Sequence, residues 1–156
     1  MNATVQRVVD AAALVGLDIE VREFPEGTRT AQDAADAIGV VVGQIVKSLA
    51  FAVDGTTVLA LVSGANRLDE GALAAAAGGS RTTRVDADTV RAATGYAIGG
   101  VPPFGHSSSL RTFVDRDLLA FDVVWAAAGT PTHVFAIAPD DLVRATDGVV
   151  ADLRSR

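Results

Sequence analysis

The sequence predicts an α+β fold in which a mixed, largely antiparallel sheet is flanked by helices. Several short apolar runs alternate with a period of two, whereas others repeat with a period near 3.6. Asp54-Gly55 is a two-residue hairpin signal that joins two strand-like runs directly, which only antiparallel neighbours allow. The predicted order α-β-α-β-β-α-β-α-β-β-β therefore favours a mixed sheet over a doubly wound one.

The first forty residues are divided by clear start and stop signals. Apolar side chains share one face of an N-terminal helix that Gly16 ends, and Thr30 caps a second helix that Gly39 ends. The predicted elements are a helix over 3–15, a strand over 18–24, a turn at 25–27 and a helix over 31–38.

Glycine, aspartate and proline divide the rest of the chain in the same way. Asp69 is an alternative start for the third helix, Asp86 caps the fourth helix, and Pro139 suits the first turn of the last one. The predicted strands are 45–53, 57–62, 82–85, 111–114, 121–127 and 132–137, and the predicted helices are 65–77, 87–95 and 139–146.

Composition favours one domain over residues 1–156 in a cytoplasmic protein. Hydrophobic residues make up 49% of the 156 residues, and no apolar run approaches the ~20 residues that span a bilayer. The chain has no cysteine, which excludes disulfides and thiolate chemistry. A net charge of −6 excludes a broad basic surface for nucleic acid, so any contact with one is expected to be small.

Lys47 is the only lysine, and it lies in the most apolar strand of the chain. The other twelve basic residues are arginines outside that strand. Burial of an unpaired ammonium costs several kcal/mol, so Lys47 either snorkels or pairs with a carboxylate, or it serves a pocket. Because arginine is used everywhere else, we favour a pocket lysine that meets an anion or a carbonyl oxygen.

The segment TGYAIGGVPPFGH, residues 94–106, is rich in glycine and proline. Glycines allow close approach of a ligand to the backbone, and the amides of Gly99, Gly100 and Val101 are candidates for holding an oxygen. An ordinary tight connection between elements is the alternative. The segment lacks the Gly-Lys-Ser/Thr of a P-loop and the spacing of a dinucleotide fingerprint.

The two histidines do not form a recognisable metal or hydrolase motif. His106 closes the glycine-proline segment, and His133 lies in a predicted strand, so each is first interpreted as structural. No HExxH pattern or carboxylate cluster accompanies them, so neither a metal nor another cofactor is predicted. The three serines after His106 lack the G-x-S-x-G context of a serine hydrolase.

Four segments in order resemble the YbaK family, which is related to the editing (insertion) domain of bacterial prolyl-tRNA synthetase. They are QIVKSLAF, SGANRLDE, TGYAIGGVPPFGH and VWAAAGTPTHVFAIAPDDLVRATDG, and the resemblance covers about residues 24–148. It implies the mixed-sheet fold of that family and a free-standing enzyme that hydrolyses mischarged aminoacyl-tRNA without a cofactor. The implied partners are the aminoacyl-tRNA acceptor end and a synthetase, with no membrane.

The resemblance also implies a site. Lys47 matches the key lysine of the family, and Gly99 to Pro103 matches its G-x-x-x-P loop, so Lys47, Gly99 and Gly100 are the expected catalytic residues. The expected substrate-binding residues are Thr30, Ser48, Ser63, Val101, Pro103, His106 and Gly129. Such enzymes remove small amino acids such as Ala, Ser or Cys, with a water attacking the ester. Cysteine-clearing members of the family have a sequence similar to Ser-Ala-Gly where this chain has Ala127-Ala128-Gly129. This departure argues against cysteine as the amino acid that is removed.

Two other interpretations remain open at this point. A binding module of the same fold would grip tRNA ends or nucleotides without turnover, and an esterase would act on small acyl esters. The presence of both Lys47 and the Gly99-to-Pro103 segment favours the deacylase.

Overall fold

The computed structural model describes residues 2–26 and 30–156, and two sheets dominate it. A five-stranded sheet has the strand order β4-β2-β3-β5-β8, and a three-stranded sheet has the order β1-β7-β6. The strands are β1 Val21–Glu23, β2 Val46–Val53, β3 Thr56–Ser63, β4 Thr82–Arg84, β5 Thr112–Asp115, β6 Val124–Ala127, β7 His133–Ile137 and β8 Val149–Ala151.

The helices start and end where their capping residues indicate. Asn2, Thr30, Asp69 and Asp86 each accept a backbone N–H with their side chains at a helix N-terminus, which satisfies a donor that has no partner within the helix. The helices are α1 Ala3–Leu14, α2 Ala31–Ile38, α3 Glu70–Ala76, α4 Ala87–Thr94 and α5 Pro139–Thr146. No helix in the described ranges is long and apolar enough to cross a membrane.

Strand pairing confirms the predicted α+β class with a mixed, mostly antiparallel arrangement. The hairpin β2–β3, the pair β2–β4 and the three-stranded sheet are antiparallel, whereas β3–β5 and β5–β8 are parallel. A parallel bridge between Ile45 and Trp125 connects the two sheets. The sequence predicted one sheet, because nothing in a strand pattern shows where pairing between two sheets stops.

Two strand predictions differ from the structure at their ends. The predicted strand over 18–24 narrows to β1, since only its last part pairs with β7. The predicted strand over 121–127 starts at Val124, and a 3₁₀ turn over Arg116–Ala120 comes before it. The strand β8 was not predicted. In the predicted turn at 25–27, Gly27 lies outside the described residues.

The strand β2 is paired on both sides along only part of its length. All of it pairs with β3, whereas β4 pairs with Phe51, Ala52 and Val53. One face of β2 packs Val46 and Ala50 into the main core, and its other face packs Leu49 and Phe51 into a second core under α3. The segment around Lys47 therefore has covered faces and one backbone edge that β4 does not pair.

Candidate functional site

A cavity of about 490 Å³ lies where the two sheets separate. The part of β2 that pairs with β3 but not with β4 forms one wall, and β6 and β7 form another. The start of α2 and the segment after α4 complete it. The volume is typical of a site for a small molecule or one end of a larger one.

Five of the ten predicted site residues line this cavity, namely Lys47, Ser48, Thr30, Gly99 and Val101. These residues come from β2, the cap of α2 and the glycine-proline segment, so three separate parts of the sequence meet. Most of the other lining side chains are small and apolar, including Ala34, Ala50, Ala126, Ala127 and Val134. The cavity thus combines the cationic Lys47 with a largely apolar lining.

The Lys47 ammonium is partly buried and hydrogen-bonded. Its Nζ donates to the backbone oxygen of Asn66, in the loop after β3. Burial lowers the pKa of Lys47 below its ordinary value, and the charge of Asp115 acts in the opposite direction. Keeping Lys47 charged at this position therefore costs free energy of desolvation, and a lysine on the surface would not carry that cost.

The amides of the glycine-proline segment are not equivalent. Gly99 has a φ of +92°, a left-handed conformation that favours glycine. The Gly100 N–H donates to the oxygen of Ala97 at 3.0 Å, so the turn already uses it. The N–H groups of Gly99 and Val101 have no partner among the described residues, and both residues line the cavity. Those two amides are the ones available to hold an oxygen.

The remaining predicted site residues lie behind the cavity wall. Gly100 packs against Gly129 so closely that a Cβ on Gly100 would lie 2.7 Å from the Gly129 oxygen. The Ser63 hydroxyl is buried and donates to the Gly43 oxygen at 2.7 Å, and Pro103 is buried as well. In the structure these residues support the segments that line the cavity and do not line it themselves.

His106 fixes the shape of the glycine-proline segment. Its Nε2 donates to the Pro102 oxygen at 2.7 Å, so this ring nitrogen carries the proton. Burial lowers the pKa of His106, although the hydrogen bond to Pro102 opposes the shift. The neutral ring therefore serves as a donor within the segment.

A pH dependence of stability follows from the lowered pKa of His106. As the pH falls below about 6.5, the unfolded chain binds the proton before the folded one does, so the free energy of unfolding decreases. The unfolding temperature of the wild type is expected to fall more steeply between pH 7 and pH 5 than that of His106→Gln, which can keep a donor but does not titrate. Calorimetry at a series of pH values checks this, and parallel curves would contradict it.

Two buried polar atoms at the cavity have no hydrogen-bond partner among the described residues. They are Ser48 Oγ and Trp125 Nε1. Buried polar atoms are normally paired, so these two are free to bond to a ligand. Ser48 was predicted as a site residue, but Trp125 was not. The fact that it is the only tryptophan of the chain was the one available indication.

Arg84 also lines the cavity and was not predicted. It is exposed and forms no ion pair with any described residue. Arg22 lies 5.4 Å from the Trp125 ring, which places a second cation beside the same wall. Neither arginine stands out in the sequence, since twelve arginines are spread along it. Within the described ranges, no group of three His, Cys, Asp or Glu side chains is placed to hold a metal ion.

Comparison with known proteins gives the family. The family described as the aminoacyl-tRNA editing domain matches residues 25–145. EbsC of Enterococcus faecalis, named as a candidate Cys-tRNA(Pro)/Cys-tRNA(Cys) deacylase, is 26% identical over 85% of this chain and 82% of its own length. A proline–tRNA ligase of Maridesulfovibrio salexigens is 32% identical over 69% of this chain, which corresponds to 19% of the ligase.

A solved structure agrees with the sequence comparisons. The crystal structure of a candidate trans-editing enzyme for prolyl-tRNA synthetase superposes with a TM-score of 0.94 at 44% identity, over 100% of this chain and 99% of that one. The fold implied by the resemblance in the sequence is thereby confirmed. The chain belongs to the family of aminoacyl-tRNA editing domains.

Proposed function

We propose that the protein is a trans-editing hydrolase that removes a small amino acid from mischarged tRNA. The observation that carries this proposal is that Lys47, Gly99 and Val101 line one small cavity, and that the N–H groups of Gly99 and Val101 have no partner among the described residues. A cation and two N–H donors suit the oxygens of the 3′-terminal nucleotide and its ester. The small apolar side chains around them suit a short amino acid.

The chemistry needs neither a protein nucleophile nor a cofactor. An aminoacyl ester is already activated, so a water oxygen can form the new bond to the carbonyl carbon while the bond to the ribose oxygen breaks. Lys47 binds a phosphate or polarises the ester, and the two amides hold the developing oxyanion. The products are the free amino acid and tRNA with its terminal hydroxyl restored.

The size and chemistry of the cavity restrict the amino acid. Ala126 and Ala127 of β6 both line the cavity and carry no side chain longer than a methyl group, which suits alanine or serine better than a long side chain. Ala127 also occupies the position at which the resemblance places a serine in cysteine-clearing members of the family. Cysteine is therefore the least favoured of the three amino acids. A proline–tRNA ligase that charges the tRNA is the partner class that the family relation favours.

A panel of tRNAs charged with Ala, Ser, Cys or Pro tests the proposal. Rapid release of one small amino acid, with a cognate pair left intact, is the expected result. Tight binding without release would support the binding module, and hydrolysis of simple acyl esters alone would support the esterase. Arg91→Ala, which changes an exposed helical arginine outside the cavity, serves as the control.

The two unpartnered polar atoms give a prediction that separates binding from folding. Trp125→Phe and Ser48→Ala remove groups that have no partner in the described protein, so the unfolding temperature is expected to hold or rise. If either group bonds to substrate, deacylation falls by roughly two- to tenfold, the value of one neutral hydrogen bond. Ser108→Ala, which changes an exposed serine, is the control. Unchanged rates in both variants would remove these atoms from the site.

A further inference from the structure

The oxygen that accepts from Lys47 belongs to a residue whose side chain is held in place on two sides. The Asn66 amide nitrogen donates to Asp115 Oδ2 at 2.9 Å and to Asp117 Oδ2 at 2.8 Å. A side-chain amide has two N–H donors, so both are used. The side chain of Asn66 is thus held by two carboxylates, one on the last residue of β5 and one just after it, and this limits the orientation of the residue whose backbone oxygen accepts from Lys47.

Asp115 is the buried member of that pair. It has no exposed surface, and its oxygens accept from the Ser63 backbone N–H at 3.0 Å and the Asp117 backbone N–H at 3.0 Å as well as from Asn66. No described residue forms an ion pair with it. A fully buried carboxylate without a bonded cation is costly, so its charge is expected to have a use beyond capping the turn.

The surrounding charges leave Asp115 as the one that acts on Lys47. Asp117 is 3.4 Å from Arg154 and pairs with it, whereas Asp115 raises the pKa of the Lys47 ammonium. The segments that carry this network also contain Arg67 and Asp69 after β3 and Arg116 between the two aspartates, and Arg84 lies on β4, which pairs with β2.

We infer that Asn66 and Asp115 are positioning residues for Lys47. Asn66 fixes the ammonium at the cavity wall. Asp115 orients Asn66 and attracts the ammonium through its own charge. This inference rests on the proposed role of Lys47. It explains why a cation is retained in an apolar strand: a buried anion lies close by, and a carbonyl held by that anion accepts from the ammonium. Neither residue lines the cavity.

The presence of a single lysine allows a direct test that needs no substrate. Protein labelled with ¹³C and ¹⁵N in lysine alone gives one side-chain signal, and its titration reports the pKa of Lys47. Since Asp115 opposes the effect of burial, Asp115→Asn is expected to lower the pKa of Lys47 further. Asp152→Asn, which changes a partly exposed carboxylate paired with Arg156, should leave it unchanged. A folded Asp115→Asn protein with the wild-type titration overturns the inference.

Asn66→Ala tests the positioning step and also decides the case if Asp115→Asn does not fold. It keeps the backbone oxygen but removes the two bonds that orient it. Greater mobility of the single lysine signal is expected, with kcat reduced up to about 10²-fold and KM little changed, as for a misplaced group. A rigid signal and a wild-type kcat would contradict positioning.

Activity against pH links the two measurements and separates this inference from the proposed function. The alkaline limb of kcat should move to lower pH in Asp115→Asn, following the titration. If the lysine signal shifts in Asp115→Asn while no aminoacyl-tRNA is hydrolysed even by the wild type, the positioning network stands and the proposed function fails. If the wild type hydrolyses aminoacyl-tRNA and neither variant changes the lysine signal or the alkaline limb of kcat, the proposed function stands and the positioning network fails.

Discussion

Lys47→Ala is expected to remove most deacylation while leaving the fold intact. Lys47 is the basic residue of β2 that lines the cavity, and loss of one group that stabilises developing charge typically costs about 10²–10³-fold in turnover. Because burial lowers the pKa of Lys47, the charged form destabilises the folded state, and its removal should leave the unfolding temperature the same or higher. Initial rates on one mischarged tRNA, with thermal unfolding alongside, provide the measurement.

Two further variants at the same position sharpen the result. Lys47→Arg should not restore the rate, because a planar guanidinium cannot take the place of a compact ammonium bonded to the Asn66 oxygen. Lys47→Met keeps much of the apolar stem and should match Lys47→Ala in rate. A Lys47→Ala protein with the wild-type rate would leave the lysine without a catalytic role.

Gly100→Ala is expected to have the second-largest effect, although Gly100 does not line the cavity. A Cβ there would lie 2.7 Å from the Gly129 oxygen and 2.8 Å from the Thr130 Cα, and backbone atoms cannot move aside as a side chain can. The glycine-proline segment must therefore shift, and with it the amides of Gly99 and Val101. A misplacement of about 1 Å can cost roughly 10²-fold in rate.

The matched control for this substitution is Gly71→Ala. Gly71 lies in α3, where a Cβ would meet only the end of the Asp69 side chain at 3.3 Å. It should keep the wild-type rate, because α3 does not line the cavity. His106→Ala should cost less than Gly100→Ala, since His106 only ties the segment to Pro102. A loss for His106→Ala equal to that of Lys47→Ala, with an acid limb below pH 6.5 abolished, would instead make His106 the general base.

The helices were predictable because their signals are local. Thr30, Asp69 and Asp86 each cap the helix that the sequence predicted from them, and the hairpin at Asp54-Gly55 joins β2 and β3. The ends of β1 and β6 were not predictable, since pairing with a distant strand decides them. Nor was β8, a three-residue strand that exists only because β5 offers it a parallel edge.

The candidate site was predictable where a residue type was unusual in its context. The only lysine in an apolar strand and a dense glycine-proline segment indicated Lys47, Gly99 and Val101, all of which line the cavity. The status of individual amides was not predictable, because the hydrogen bond from Gly100 to Ala97 depends on the turn actually adopted. Asn66 and Asp115 act through contacts between segments 49 residues apart, which no local pattern records.

The bridge between Ile45 and Trp125 has a consequence for how this pocket can evolve. The cavity walls belong to two sheets that are joined at that bridge, and the cavity lies between them. Phe135 of β7 packs in the core behind one of these walls and does not line the cavity, so its size influences how far the two sheets separate. A Phe135→Leu change should therefore alter which amino acids fit before it alters any group that reacts, so the preferred substrate can drift through the core while Lys47 and its partners stay the same.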